Sequence, residues 1–224
     1  GSSSFAVGLL NALHAYKGER VSAGQLAEEA SYIEIDVLKE PIGKQDQYAA
    51  AFGGLNLFCF KPGGGVTVEP QRLANGMMNA LFDSILMFWT GHQRDTRLVL
   101  TEQKANTAQK MDLLLKMRQH AYQLQDLLGN GLCDFQAFGR ILDESWQQKR
   151  NLASTITTDQ IDTWYRLARE AGAEGGKLCG AGGGGFLLFI VPQECQEAVR
   201  RAMCNLKEVP VGPEAHGSQI LFVE

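Results

Sequence analysis

Apolar residues recur at helical spacing from Ser2 to about Tyr16, where Phe5, Ala6, Val7, Leu9, Leu10 and Leu13 stand among small neighbours. Serines open this segment and Lys17-Gly18 close it, the residue types that start and stop helices. A second helix is expected from a Ser22 cap, with Leu26, Ala27, Ala30 and Ile33 at the same spacing. Gln45 to Phe52 reads as a short third helix, stopped by Gly53-Gly54. The pattern then changes period. Residues 55–60 are apolar, Pro62 and Gly63-Gly64-Gly65 make a turn, and residues 66–69 alternate as a half-exposed strand does. Ile85 to Trp89 is a short apolar run before Gly91, the pattern of a buried strand.

Beyond this point helices dominate. Residues 101–128 predict one long helix, with Met111, Leu114, Leu115, Tyr122 and Leu128 repeating every three to four residues and Gly129-Asn130-Gly131 ending it. Residues 134–148 and 158–171 predict two more amphipathic helices, the second with Asp159 near its start and Gly172 just past its end. Leu178 leads into a glycine-rich run at 180–185, and residues 186–191 are strand-like. A helix over 193–205 and short strands over 208–211 and 220–223 complete the expectation. Strands and helices are segregated and mixed, which reads as an α+β fold.

Composition narrows the function classes. The chain has 224 residues, 45% of them hydrophobic and 21% charged, as in an ordinary globular protein. A net charge of −4 supplies no basic field, so nucleic acid is not expected as a partner. No apolar run reaches the length of a membrane span. The opening residues lack the basic region of a secretory signal. Cysteines at 59, 133, 179, 195 and 204 are odd in number and contain no C-x-x-C pair, which favours reduced thiols and a cytoplasmic setting over a disulfide framework or a zinc site.

Four places carry candidate chemistry. The run Gly180-Ala181-Gly182-Gly183-Gly184-Gly185 stands before a strand, and each glycine weakens a fold by about 0.5–1 kcal/mol relative to alanine. The return is a close approach of backbone to a ligand or to another chain segment; a tight turn is the blander alternative. Gly1-Ser2-Ser3-Ser4 opens an apolar helix, where free amides and the positive dipole end suit a phosphate, although serine also starts helices with no ligand at all. Between them, Glu34, Asp36, Lys44 and Asp46 offer oxygen ligands for Mg2+, a cation and a proton acceptor. On their own these residues equally make a solvated loop. The polar stretch 90–97, with Arg94 and Thr96, follows the buried strand and is placed to meet a substrate or to be plain surface. Four histidines, at 14, 92, 120 and 216, have no ligand spacing.

Taken together, these segments resemble the galactokinase–homoserine kinase–mevalonate kinase–phosphomevalonate kinase (GHMP) superfamily. Gly1-Ser2-Ser3-Ser4-Phe5-Ala6 is similar to the core of the family's phosphate motif, P-x-x-x-G-L-G-S-S-[AS]. The run at 180–185 is similar to its C-terminal glycine motif, and Glu34 and Asp46 lie between the two as the family's Mg-binding acid and catalytic aspartate do. Gly43-Lys44-Gln45-Asp46-Gln47 and Ala49-Ala50-Ala51-Phe52-Gly53-Gly54 look most like the subgroup of sugar kinases acting on heptose 7-phosphate, with fucokinases nearby.

The resemblance implies a two-domain fold: residues 1–75 as the remainder of an N-terminal domain like ribosomal S5 domain 2, and residues 76–224 as a ferredoxin-like C-terminal domain. It implies an ATP- and Mg2+-dependent kinase of a sugar phosphate, phosphorylating the anomeric hydroxyl. Gly1, Ser2, Ser3, Ser4, Gly182, Gly183 and Gly184 would hold ATP phosphates. Ser3 and Glu34 would bind the metal. Asp46, assisted by Lys44, would receive the acceptor's proton, and Arg94, Thr96 and Gly183 would touch substrate. Family members carry a segment ahead of the phosphate motif, so the resemblance leads one to expect a missing N-terminal portion or a homodimer as partner. Alternatives are an L-fucose-type or other sugar kinase of the family and a non-catalytic nucleotide-binding protein. Homoserine or mevalonate-type specificity ranks lower, because Gln45-Asp46-Gln47 differs from the P-S-G-x-D pattern of the mevalonate enzymes.

Overall fold

The structure, a computed structural model, describes residues 1–74, 76–92, 96–129 and 134–222. The chain forms two compact units: Gly1–Arg72 joined by the C-terminal segment from Glu214, and Leu73–Pro213. The boundary expected after residue 75 keeps everything beyond it in the second domain. The segment from Glu214 instead packs on the first unit. Its Glu214 carbonyl accepts from the Gly54 amide at 2.6 Å, and its Ser218 carbonyl and Oγ accept from Asn11 Nδ2 at 3.3 and 3.1 Å.

In the first unit the expected helices appear as α1 (Ser2–Tyr16), α2 (Ala23–Ser31) and α3 (Gln45–Phe52). Ser22 caps α2 by accepting the Gln25 amide at 3.1 Å, which satisfies one of the orphan donors of the first turn. Val7, Leu26, Ala27, Ala30, Tyr48 and Ala51 meet in a small core. The alanines let the three helix backbones approach closely, and Tyr48 supplies the bulk, its ring stacked on Phe52 and edge-on to Phe58. Strands β1 (Asn56–Phe60) and β2 (Val66–Pro70) form an antiparallel hairpin with Phe60 opposite Val66.

The second unit opens with α4 (Met77–Asp83), which the apolar pattern did not announce, and continues with β3 (Ile85–Trp89). Helices α5 (Thr96–Asn106), α6 (Met111–Gly129), α7 (Phe135–Arg150) and α8 (Asp159–Glu170) follow. Strands β4 (Gly175–Leu178) and β5 (Phe186–Ile190), a 3-10 turn (Gln193–Cys195), α9 (Gln196–Ala202) and β6 (Lys207–Glu208) complete it. The sheet order is β4-β5-β3-β6, antiparallel throughout. In the unit's own strand sequence this is 2-3-1-4, the split arrangement of ferredoxin-like folds. Alternation puts Leu86 and Phe88 of β3 and Leu187 and Phe189 of β5 on the buried face. Trp146 of α7 and Ile161, Tyr165 and Ala168 of α8 cover them.

Several expectations change. The long helix over 101–128 is two helices, broken between Asn106 and Met111. From Glu102 to Lys110 the sequence carries no apolar stripe, and Asn106 and Thr107 are poor helix formers. Asn106 Nδ2 donates to the Leu152 carbonyl instead, at 3.0 Å. The helix expected over 193–205 begins as a 3-10 turn and ends at Ala202. The strand expected over 208–211 is Lys207–Glu208, and residues 220–222 form no strand.

Candidate active site

The start of α1 concentrates unsatisfied donors. The Phe5 amide donates to the Gly1 carbonyl at 3.2 Å, so the amides of Ser2, Ser3 and Ser4 precede the first intrahelical bond. No side chain caps this end and no acid stands in the first turn. The positive end of the helix dipole is a favourable place for an anion. Ser3 is buried at 5% exposure, whereas Ser2 and Ser4 are exposed.

Glu34 sits on a π-helical turn, Tyr32–Val37, that continues directly from α2. The Leu38 amide bonds the Ile33 carbonyl, five residues back, at 2.9 Å. A turn closed by a bond five residues back instead of four is rare and occurs frequently at functional sites. The carboxylate of Glu34 is 4% exposed. Its Oε2 accepts from Gln47 Nε2 at 2.6 Å. Gln47 is fully buried, and its own Oε1 is sealed without a hydrogen-bond partner among the described residues.

Gln47 lies in the first turn of α3, one residue after Asp46. Successive helical residues are about 100° apart, so one points inward and the other outward. Asp46 is exposed and makes no hydrogen bond or ion pair with the described residues. Lys44 does not serve it. Lys44 Nζ donates to Glu28 Oε2 at 2.7 Å and to the Gly64 carbonyl at 3.2 Å, which ties α2, the start of α3 and the β1–β2 turn together. Glu28 also accepts from the Tyr48 hydroxyl. Partial burial works to raise the Glu28 carboxyl, but the Lys44 and Tyr48 hydrogen bonds outweigh it and leave it below its ordinary value. Burial, then the Glu28 contact, pushes the Tyr48 phenol far up, so it stays a donor.

In the second unit the glycine-rich loop is built against its own chain. The Gly183 amide donates to the Ile156 carbonyl at 2.8 Å, and the Gly185 amide to the His92 carbonyl at 3.1 Å. A Cβ on Gly184 would come within 2.5 Å of the His92 oxygen, and one on Gly182 within 2.8 Å of the Ile156 Cα. Gly182 also has φ +130, a conformation side chains avoid. Of the two returns expected from these glycines, approach to another chain segment is present in this loop. Thr90 is buried, and its Oγ1 donates to the Gly185 carbonyl at 2.8 Å.

The sequence candidates thus divide. Ser3, Glu34, Lys44 and Asp46 all lie in the first unit, and Gly182, Gly183 and Gly184 in the second. Thr96 begins α5, and Arg94 lies outside the described residues. Sequence reasoning missed Glu28, Tyr48, the work of Gln47 and the buried role of Thr90, which it placed only within the polar stretch 90–97. Two of these had a signal. Thr90 continues the inward alternation Leu86, Phe88, and Gln47 stands four residues before buried Ala51, so each is a polar residue in core register.

Among the described residues no cluster of three or more His, Cys, Asp or Glu is gathered to hold a metal by itself. A hard cation held by one carboxylate plus nucleotide phosphates needs no such cluster. Glu34 fits that role: its Oε2 is engaged by Gln47, while its Oε1 accepts no hydrogen bond from the described residues. No helix among the described residues is long and apolar enough to cross a membrane.

Comparison with known proteins adds to this geometry. Residues 1–54 match the family profile described as GHMP kinases N terminal domain, and residues 131–208 that described as GHMP kinases C terminal. The chain is 31% identical over 193 residues to D-glycero-alpha-D-manno-heptose 7-phosphate kinase of Campylobacter jejuni, an alignment covering 85% of this chain and 56% of that protein. It is 28% identical over 209 residues to L-fucokinase/L-fucose-1-P guanylyltransferase of Bacteroides fragilis, covering 89% of this chain and 21% of that one. The crystal structure of a D-glycero-D-manno-heptose 1-phosphate kinase from Bacteroides thetaiotaomicron superposes with a TM-score of 0.72 at 28% identity, over 99% of this chain and 63% of that one. The chain therefore spans little more than half the length of the heptose kinase relative.

Proposed function

The chain belongs to the GHMP kinase family, and on that premise we propose that it acts in transfer of the ATP γ-phosphoryl group to a hydroxyl of a sugar phosphate. The acceptor we assign is D-glycero-D-manno-heptose 7-phosphate at its anomeric hydroxyl; one relative is named for a heptose 7-phosphate and a similar solved structure for a heptose 1-phosphate, which supports a heptose phosphate as the substrate class. The observation that carries the reading is the adjacency of Gln47 and Asp46 on α3. One turn of one helix presents an exposed carboxylate and, through the next residue, anchors a buried one.

Phosphoryl transfer asks a protein mainly for position and a positive field, because charge gathers on the phosphoryl oxygens. The amides of Ser2, Ser3 and Ser4 bind phosphate oxygens at the start of α1. Asp46 accepts the hydroxyl proton of the sugar as the new P–O bond forms and the bond to ADP breaks. Ser3 and Glu34 are the residues that would hold Mg2+, which supplies charge neutralisation when bound. Lys44 braces α3 through Glu28 and leaves Asp46 to act alone.

The test is ADP release by the protein with Mg-ATP and either heptose 7-phosphate or sedoheptulose 7-phosphate, with L-fucose as a further arm. Release that requires the sugar phosphate supports the reading. Release with L-fucose and not with the phosphorylated sugars moves the acceptor to the fucose class. Nucleotide binding with no turnover on any sugar marks a non-catalytic member of the family.

A further inference from the structure

A fully buried glutamine is a poor choice for stability. Its amide has a donor group and an acceptor, and a sealed polar atom without a partner destabilises a fold. Leucine would fill much the same space without an orphaned amide oxygen, at the loss of one donor to Glu34. In Gln47 the Oε1 is sealed and orphaned, and Nε2 has one described partner, the carboxylate of Glu34. The 2.6 Å contact also fixes which way the amide faces. Turned over, Gln47 would set its carbonyl oxygen against a carboxylate oxygen and lose that donor contact. The whole side chain is therefore arranged for Glu34.

Glu34 rides on a π-helical turn, a rare winding found frequently at functional sites. A carboxylate free to rotate presents either oxygen to a ligand, and an ion bound by one carboxylate is sensitive to that freedom.

We propose that Gln47 is the positioning residue for Glu34: its amide fixes the carboxylate and occupies Oε2, so that Oε1 is the oxygen offered to the divalent cation that accompanies the nucleotide. This rests on the reading of Glu34 as a cation ligand. Partners that orient a metal ligand commonly change metal affinity about 10- to 100-fold when removed.

The experiment is Mn2+ binding, followed by EPR in the presence of AMPPNP, for the wild type and for Gln47→Leu. Thermal unfolding and sugar-phosphate KM are measured beside it. The expected result is Mn2+ affinity lowered about tenfold or more, a Tm shifted by only a few degrees because loss of the orphaned amide oxygen offsets part of the donor lost to Glu34 Oε2, and an unchanged KM for the sugar phosphate. Gln47→Met, which keeps an unbranched side chain but donates no hydrogen bond, should behave as Gln47→Leu does. Mn2+ affinity within twofold of the wild type in both variants would overturn the inference. So would a wild type that shows no nucleotide-dependent Mn2+ binding. A wild type that binds Mn2+ with AMPPNP yet phosphorylates no sugar would sink the acceptor assignment and leave this inference standing.

Discussion

Two regions of the molecule carry residues that weaken a fold, and they differ in what compensates them. In the second unit, Gly182 and Gly184 stand where a side chain would strike Ile156 or His92, and Gly183 and Gly185 donate amides to those same residues. Each glycine is answered by a neighbour in the chain. In the first unit, Glu34 and Gln47 are polar residues in buried positions, joined to each other and answered only in part. The loop is explained by packing. The Glu34–Gln47 pair is not, and an incompletely satisfied pair beside an exposed aspartate is what a ligand would complete.

The contrast can be broken most sharply at Asp46. Asp46→Ala should lower turnover about 10²- to 10⁴-fold, read by ADP release with sugar phosphate. Its Tm should stay within a degree or two of the wild type, because an exposed side chain with no partner among the described residues holds little of the fold together. A turnover loss below threefold would remove Asp46 from the chemistry.

Gly182→Ala tests the other side. Strain at φ +130 and the Ile156 contact together should destabilise the protein by roughly 3 kcal/mol, measured by urea unfolding. Gly180→Ala is the control. Gly180 has φ +83 but open space around it, so the expected loss is about 1 kcal/mol. Equal losses at 180 and 182 would mean that packing does not account for the loop.

Lys44→Met sharpens the comparison at lower amplitude. The Lys44–Glu28 pair is partly exposed, and such pairs contribute less than about 1 kcal/mol. A matching effect on kcat, no more than about fivefold, is expected if Lys44 only braces α3. A hundredfold loss would instead put its ammonium in contact with the reacting phosphate.

The smallest effect lies in a polar cluster of the first unit that is fully answered. His14 donates between Glu29 at 2.7 Å and Glu19 at 2.6 Å, and these two hydrogen bonds, the Glu29 one foremost, raise the imidazole above its ordinary 6.5. A raised folded value stabilises below the unfolded pKa and is lost as pH rises through the folded one. Hydrogen bonding also lowers both carboxyls, with His14 the leading cause at Glu29 and Lys17 at Glu19, so their contribution is lost as pH falls through the lowered folded values, below about 4.5. His14→Gln should therefore reduce Tm at pH 6 and have little effect at pH 8.5. Equal reductions at both would show that the imidazolium charge is not what matters.

Much of this is legible from residue order. Helices α1 and α3 and strand β3 end where their apolar periods and glycines end. The Ser3, Glu34 and Asp46 candidates stand out because they fall on family motifs. The features that escape are set by tertiary partners. The break between α5 and α6 depends on Asn106 finding Leu152, a contact 46 residues away. Nearness in sequence pairs Lys44 with Asp46, while the structure gives it Glu28, sixteen residues back. The glycine loop shows its expense in the sequence but not that Ile156 and His92 would meet it.

The turn at Tyr32–Val37 has a consequence in chain length. A π turn is an α turn holding one residue too many, and that surplus acts as a key cut into the helix. Deleting a single residue from it would let the turn tighten to ordinary winding with the chain beyond it kept near its present phase, so that the side chains within the turn are the ones re-aimed. Glu34 would then leave Gln47, although no residue of the pair had been changed. Insertions and deletions that most helix ends absorb would here act on the carboxylate itself.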